Sequence, residues 1–421
     1  MKKSPFHYAW IILGLCFISL LMAQGVRLSF GAFIQPWERD FGVSRSSITL
    51  ISFVSFIIYG LTQPLLGRLT DLWGAKRILI GGIVLVSMSM LMTYISQSTW
   101  QLLILYGVVA TLGFSATSPV VASVAITHWF TQNPVFAFSV IAAGSASGQL
   151  LLVPSSLLLI NSLGWRTTSL VLGLTLGLVV VPILSFFLYS RPSSQGLTAL
   201  GDTTNNAKPT INASSPLKAS VENLWTTHDF WFLIAPFFIC GITTTGLMDT
   251  HLIPFAHDHG FSPVTTSVAV SVLAAFNITG TLLAGVVADR WNNAHMLGWL
   301  YLGRALTIVL LVFTRNPLML IVFAALFGLV DFATLAPTQL LATKRFQYGN
   351  TGMILGYLFM VHQLGSALGA FVPGLLYDLT GSYLSSLSGA TTLLAIASVL
   401  SFALTNTKPP SRQTSASFEV A

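Results

Sequence analysis

Long apolar runs fill most of this chain and constrain its fold more than any other feature of the sequence. A helix that crosses the hydrocarbon core of a bilayer needs about 20 mostly apolar residues. With glycine, proline and polar clusters taken as boundaries, the chain contains twelve such runs, with approximate limits 8–33, 46–67, 78–97, 99–126, 134–160, 168–190, 229–253, 264–288, 294–314, 317–341, 351–375 and 384–406. Helices satisfy their own backbone polar groups inside lipid. The sequence therefore predicts an all-α membrane protein with twelve transmembrane helices.

The low charge content supports the same class of protein. Charged residues make up 7% of the 421 residues and hydrophobic residues 54%, whereas soluble domains carry about 25% charged residues. Soluble enzymes and nucleic-acid-binding proteins are therefore excluded. The net charge of +7 fits the excess of lysine and arginine in cytoplasmic loops. No nucleotide-binding loop, nucleophile elbow or metal-ligand spacing is present, so we expect no enzyme activity, no cofactor and no bound metal.

One long polar stretch, rich in Ser, Thr, Asn and Pro, separates the first six runs from the last six. With a cytoplasmic N-terminus, thirteen basic residues fall on the cytoplasmic side and four outside, namely Arg39, Arg45, Arg166 and Arg315. This bias predicts a multi-pass protein of the cell (inner) membrane with both termini in the cytoplasm. The predicted parts are an N-terminal six-helix bundle (1–190), a cytoplasmic linker (191–228), a C-terminal six-helix bundle (229–406) and a disordered cytoplasmic tail (407–421).

The two sets of six runs contain an internal repeat. A single offset of 218 residues relates several positions in the first set to the same residue type in the second. The pairs are Gly42 and Gly260, Gly67 and Gly285, Asp71 and Asp289, and Pro119 and Pro337. One ungapped offset over this length predicts two homologous six-helix halves related by an axis along the membrane normal.

The segment from Gly67 to Arg77, with the sequence GRLTDLWGAKR, is placed by the run boundaries in the turn between helices 2 and 3. It closely resembles the signature loop of the major facilitator superfamily, and 285–290 (GVVADR) is its weaker copy. In that superfamily the loop stabilises one of two access states. Glycine permits close helix approach, and an aspartate suits a neighbouring helix N-terminus. The resemblance implies a gating role for Gly67, Asp71, Lys76, Arg77, Gly285, Asp289 and Arg290.

Three further segments narrow the resemblance to bacterial relatives of the monocarboxylate transporters, which include oxalate/formate exchangers. They are 30–33 (FGAF), 250–256 (THLIPFA) and 374–383 (GLLYDLTGSY). Within this resemblance Arg27 falls where animal monocarboxylate transporters keep a lysine. An arginine inside a span costs roughly 2.5–3.5 kcal/mol on insertion scales, and its guanidinium can bind a carboxylate through two hydrogen bonds. Arg27 is therefore a candidate substrate ligand; the alternative is that it extends to the membrane surface.

The sequence departs from these relatives in helix 8. They commonly carry Gly-Arg there, with the arginine as a ligand of the substrate anion, whereas this chain has Gly280-Thr281. Asn277 lies one turn earlier, and we take Asn277, Thr281 and Tyr357 as further candidate substrate ligands. Either Arg27 holds the anion alone, or the substrate is not a simple monocarboxylate.

Three titratable residues inside the runs are candidates for proton coupling: Asp249, Asp331 and His251. Desolvation favours the neutral form of a buried carboxyl group, which suits a proton carrier. In this superfamily helices 1, 4, 7 and 10 line the cavity, which places Arg27, Asp249 and Asp331 on lining helices. Asp331 has an alternative role as a structural ion pair with Arg304, and His251 has one as an interhelical hydrogen-bond partner.

The function that these residues favour is secondary active transport of a small, monocarboxylate-like organic anion, coupled to protons, by alternating access of the two halves. We expect a monomer in the lipid bilayer that binds no nucleic acid. An alternative is proton-driven efflux of a neutral or amphipathic compound, with Arg27 structural. A third possible function, that of a receptor that no longer transports, is disfavoured by the duplicated gating loop.

Overall fold

The computed structural model describes residues 7–130, 134–201, 228–288, 291–345 and 351–404. Within these ranges eleven helices are long and apolar enough to cross a membrane. They are α1 (Ala9–Phe41), α2 (Arg45–Trp73), α3 (Ala75–Tyr94), α4 (Thr99–Trp129), α5 (Val140–Phe187), α6 (Phe230–Asp258), α7 (Pro263–Ala288), α8 (Asn293–Val312), α9 (Pro317–Ala342), α10 (Tyr357–Thr380) and α11 (Leu384–Ala403). The protein is all-helical, and between them the described residues form only one isolated β-bridge, which joins Phe130 to Leu200.

The 48 residues of α5 contain two of the predicted runs. A straight helix of that length would measure roughly 72 Å, more than twice the thickness of the hydrocarbon core. The helix is broken at Gly164, whose φ of 80° and ψ of 161° are not helical. Glycine reaches this conformation without a steric penalty, and the runs 134–160 and 168–190 lie on either side of it.

The motif from Gly67 to Arg77 is helical for most of its length, which corrects its expected place in a turn. The second helix continues through Asp71 to Trp73 and ends at Gly74, where φ is 82°. The helix α3 then begins at the next residue, Ala75. The apolar run stops at Gly67 because the last turns of α2 carry charged residues. The helix itself ends later, at Gly74, because of the positive φ of that glycine and not because of the change in polarity.

Several helices are irregular in their middle. The first helix is interrupted at Ser29, and α9 contains a 3-10 turn at Phe332–Thr334 directly after Asp331. Wider π-helical segments occur in α4 at Leu103–Ala110 and in α6 at Ile242–Met248. Such segments are rare and often occur at functional sites.

Two large apolar cores fill the protein. One is formed by buried residues between Ala9 and Leu188, and the other by buried residues between Phe230 and Leu404 together with Ala32 and Val153. We refer to residues 7–201 as the N-terminal part and to 228–404 as the C-terminal part. They meet chiefly where α2 packs on α10 and where α5 packs on α7.

Candidate functional site

A small cavity lies between the two parts, at the interrupted middle of the helices. Its volume is about 20 Å³, enough for one water molecule. The N-terminal part contributes residues of α1, α2 and α4, and the C-terminal part contributes residues of α6. The lining residues are Arg27, Leu28, Phe30, Ser52, Ser55, Phe56, Tyr106, Thr245, Asp249 and Thr250. Two candidates chosen from the sequence, Arg27 and Asp249, thus share one cavity.

Two residues, Tyr59 and Gln24, hold the guanidinium of Arg27 in place. Its guanidinium lies over the ring of Tyr59, 3.9 Å from the centroid, and Nη1 donates to Oε1 of Gln24 at 3.3 Å. The amide of Gln24 is oriented because its Nε2 donates to the carbonyl oxygens of Phe114 and Thr117. The Nη2 atom of Arg27 is buried and has no hydrogen-bond partner. The sequence reasoning missed Gln24, although its position three residues before Arg27 places it on the same helix face.

Asp249 has a matching arrangement on the opposite wall. Its Oδ1 accepts a hydrogen bond of 3.0 Å from Nε2 of Gln149, in α5, and its Oδ2 is buried without a partner. The two residues do not form an ion pair with each other. A buried charged group without a partner is costly. Two residues that line the cavity therefore have unpaired polar atoms, a donor on Arg27 and an acceptor on Asp249.

The irregular segments shape this cavity. Tyr106 belongs to the π-helical segment of α4, and its hydroxyl donates to the carbonyl of Arg27 at 3.0 Å. Thr245 belongs to the π-helical segment of α6, which ends at the residue before Asp249. The interruption of α1 at Ser29 follows Arg27 by two residues. Each charged residue thus sits beside a departure from regular helix.

Asp331 does not line this cavity; it lies in the C-terminal part beside Arg304. Their side chains are 0% and 1% exposed, and Nη2 of Arg304 is 3.8 Å from Oδ1 of Asp331. The same Nη2 also donates to the backbone carbonyl of Asp331, and Nη1 donates to Thr244 at 2.8 Å. This geometry is that of the ion pair considered from the sequence. Both carboxylate oxygens of Asp331 lack a hydrogen-bond donor.

His251 is 1% exposed and has partners on both ring nitrogens. Nε2 lies 2.7 Å from the carbonyl oxygen of Ala370, and Nδ1 lies 2.9 Å from the hydroxyl of Tyr383. A carbonyl can only accept, so Nε2 carries the proton and Nδ1 accepts from Tyr383. Burial raises the pKa of the Tyr383 hydroxyl, which keeps it a donor. The arrangement fits the interhelical hydrogen bond considered as an alternative.

The remaining candidate substrate ligands lie away from the cavity. Asn277 is buried, and its Oδ1 accepts a hydrogen bond of 3.2 Å from the backbone N–H of Phe332, which joins α7 to the break in α9. Thr281 and Tyr357 are half-buried and do not line the cavity. The neighbouring Gly280 allows close contact between helices, because a methyl group at this position would overlap the carbonyl oxygen of Leu329.

Residues 67–77, the loop for which the sequence predicts a gating role, lie at the end of the molecule that we call the Asp71 end. Asp71 and Arg77 are exposed, and Asp71 forms no ion pair with any residue in the described ranges. Lys76 donates through Nζ to the carbonyl of Ser185 at 2.7 Å.

Space is open around the two glycines of the motif and its copy, Gly67 and Gly285. A methyl group added at Gly67 would lie 3.9 Å from Val120, and one added at Gly285 would meet nothing within 4 Å. Asp289 and Arg290 lie outside the described residues.

The opposite end, which we call the Arg45 end, joins the two parts tightly. Arg45 is 5% exposed and pairs with Glu38 at 2.7 Å in its own part and with Asp258 at 2.6 Å in the C-terminal part. Its Nη1 also donates to the hydroxyl of Tyr383 at 3.0 Å. The carboxylate of Asp378 accepts the backbone N–H groups of Arg45 and Ser46, at the start of α2. Sequence reasoning used Arg45 only as a marker of orientation and missed this network.

The fold and cavity define a polytopic membrane protein with a charged site between two helical parts. A sequence profile of the Major Facilitator Superfamily matches residues 15–294 and 251–420. The chain therefore belongs to the Major Facilitator Superfamily, and it is a membrane transporter rather than an enzyme. No group of three or more His, Cys, Asp or Glu side chains in the described ranges could hold a metal ion.

Individual relatives agree with this family. The chain is similar to the uncharacterized MFS-type transporter YcxA of Bacillus subtilis (strain 168), with 28% identity over 390 residues, which cover 91% of this chain and 92% of the relative. It is similar to Monocarboxylate transporter 11 of Homo sapiens, with 24% identity over 410 residues, 91% of this chain and 80% of the relative. The predicted resemblance to monocarboxylate transporters is confirmed.

A solved structure shares the fold. It is a bacterial homolog to the human lysosomal transporter Spinster, in an inward-facing and occupied conformation. The TM-score is 0.73 at 15% sequence identity, over 96% of this chain and 98% of that chain. At this identity the likeness concerns the fold alone.

Proposed function

We propose that this protein is a secondary active transporter that moves a small, monocarboxylate-like organic anion together with a proton by alternating access. The observation that carries this proposal is that Arg27 and Asp249 line one cavity, and that each has a buried polar atom, Nη2 and Oδ2, without a hydrogen-bond partner. The identified relatives include monocarboxylate transporters, which supports a carboxylate as the ligand.

Arg27 is the proposed anion ligand. A carboxylate is a pure hydrogen-bond acceptor, and a guanidinium binds it with charge-assisted bonds about twice as strong as neutral ones. Gln24 and Tyr59 fix the guanidinium from behind, so the site is organised before the anion arrives. Asn277, Thr281 and Tyr357 would act from outside the cavity, by controlling helix packing.

Asp249 is the proposed proton carrier. With the cavity empty, the positive charge of Arg27 favours the ionised form of Asp249. A carboxylate that binds Arg27 cancels this charge, and Asp249 then takes up a proton more readily, so that anion and proton bind together. We assign Asp331 and His251 structural roles instead, because both are held by partners on neighbouring helices.

Alternating access accounts for the different ends of the molecule. We infer twelve spans in two six-helix bundles, with the break at Gly164 dividing α5 into two spans. In the predicted orientation both termini are cytoplasmic, in the inner membrane, and the Arg45 end is external. The ion pairs there and the open space around Gly67 and Gly285 then describe an inward-facing state. In the other state the Arg45 network would open and the Asp71 end would close.

Transport by proteoliposomes tests this function. We expect labelled acetate or propionate to accumulate against its gradient when the interior is alkaline. Arg27→Gln should abolish uptake and counterflow, whereas Asp249→Asn should preserve counterflow and remove proton-driven accumulation. Arg315→Gln, at an exposed site of the same charge, is the matched control and should keep both activities. Normal proton-driven uptake by Arg27→Gln would contradict the proposal and favour efflux of a neutral compound.

A further inference from the structure

The charges of the cavity suggest a more specific ligand than a simple anion. Among its lining residues in the described ranges, Arg27 and Asp249 are the two with acidic or basic side chains, and their charges are opposite when both are ionised. The other candidate ligands, Asn277, Thr281 and Tyr357, are neutral. With both residues ionised the site is electrically balanced, whereas a site built for an anion alone would carry a net positive charge.

The hydrogen-bond inventory points the same way. A simple carboxylate satisfies the Nη2 donor of Arg27 but leaves the Oδ2 acceptor of Asp249 without a partner, unless Asp249 becomes protonated. A ligand that also carries an ammonium group supplies three N–H donors. One would reach Asp249, and the hydroxyl oxygens of Ser52 and Thr245, which line the cavity, can accept the others.

We propose that this cavity binds short zwitterionic carboxylates, in which an ammonium group lies one or two carbons from the carboxylate. The proposal rests on the function proposed above, since it uses the same anion ligand. The carboxylate binds Arg27 and the ammonium group binds ionised Asp249. The ammonium group of a zwitterion balances the charge of Asp249, as a proton does when a simple anion binds. The zwitterion is therefore transported across the membrane without a coupled proton.

The walls of the cavity restrict the rest of the ligand. Phe30, Phe56 and Tyr106 line the cavity together with Arg27 and Asp249, and its volume of about 20 Å³ holds one water molecule in this conformation. The ligand therefore enters as the two parts move relative to each other, and a small side chain is favoured. Glycine, alanine and β-alanine fit this description, whereas aromatic and branched amino acids do not.

Counterflow by the full-length protein in proteoliposomes tests the inference. The probes are labelled glycine, β-alanine and propionate, each measured with and without a protonophore. We expect wild-type protein to exchange all three, with proton-driven accumulation for propionate only. Asp249→Asn should weaken glycine or β-alanine binding about tenfold or more, the effect of losing a charged hydrogen-bond partner. It should weaken propionate binding much less, because asparagine and the protonated aspartate that accompanies propionate are both neutral.

The outcomes separate the two proposals. If the protein exchanges propionate but neither exchanges the amino acids nor is inhibited by them, the zwitterion inference is overturned and the proposed function stays intact. Exchange of neither class overturns both. Equal weakening of all three probes by Asp249→Asn also contradicts the inference, because it would show a general structural effect. The wild-type comparison does not depend on the folding of any variant, and a gel-filtration profile identifies variants that fail to fold.

Discussion

Arg45 in α2 and Asp258 in α6 form an ion pair of 2.6 Å that links the N-terminal part to the C-terminal part. Neither side chain is more than one-fifth exposed, at 5% and 19%, so the pair is shielded from solvent. The guanidinium also stacks on the ring of Tyr377, 3.8 Å from its centroid. This contact is a latch between the two parts at the Arg45 end.

Loss of this pair should shift the balance between access states. We expect Asp258→Asn to weaken the latch and to populate the state in which the Arg45 end is open, because a partly buried pair resists the separation of its charges. Spin labels at Gln97 and Arg315, exposed residues in turns of the two parts, report the distance across this end. The distance distribution should gain a longer component in the variant. An unchanged distribution would show that the latch does not limit opening.

Gln24 should control anion affinity without touching the anion. In Gln24→Leu the guanidinium of Arg27 loses its hydrogen-bond partner, and two carbonyl oxygens of α4 lose their donor. We expect the apparent affinity for propionate to fall about tenfold or more, from a loss of 1.5–3 kcal/mol. Gln97→Ala, in an exposed turn, is the control. A variant with unchanged affinity would show that Tyr59 alone positions Arg27.

The pair of Arg304 and Asp331 provides a test of stability. Removing one member of a buried pair typically costs about 3–5 kcal/mol, because the other charge remains buried. We expect Arg304→Met to lower thermal stability in detergent strongly, and Arg304→Met with Asp331→Leu to recover much of the loss. If Asp331→Asn abolished proton-driven accumulation at unchanged stability, Asp331 would be a coupling residue instead of a structural one.

Two glycines of α7 should respond differently to substitution. Gly285 has open space around it, so Gly285→Leu should leave the stability of this state unchanged and should obstruct closure at the Asp71 end. Transport would then fall at unchanged stability. Gly280→Ala introduces an overlap with Leu329 and should lower stability. Equal transport by Gly285→Leu and wild type would argue against close approach at this position.

The sequence predicts the spans well because each must be apolar over a fixed length. It misplaces their ends where a helix leaves the hydrocarbon core and continues through polar residues. The first helix runs to Phe41 although its apolar run ends near residue 33, and the left-handed Gly42 ends it. Turn glycines, rather than polarity, thus set these boundaries.

For the candidate site, the sequence identifies the charged residues but not their partners. Arg27 and Asp249 are conspicuous because charge is costly inside a span. Gln149 is separated from Asp249 by 100 residues, and Asp258 is separated from Arg45 by 213. Only the packing of distant helices brings these residues together, and no local pattern records it.

The π-helical segment before Asp249 has a consequence for how this site can change. A π turn accommodates one residue more than an α-helical turn, and each residue of an α-helix rotates the side-chain direction by about 100°. Rewinding Ile242–Met248 into regular α-helix with every residue retained would turn the Asp249 carboxylate by about 100° and away from the cavity. The position of this carboxylate is therefore set as much by the winding of one segment as by the identity of its residues. A change from π-helix to α-helix would separate Arg27 from its opposite charge without any change in sequence.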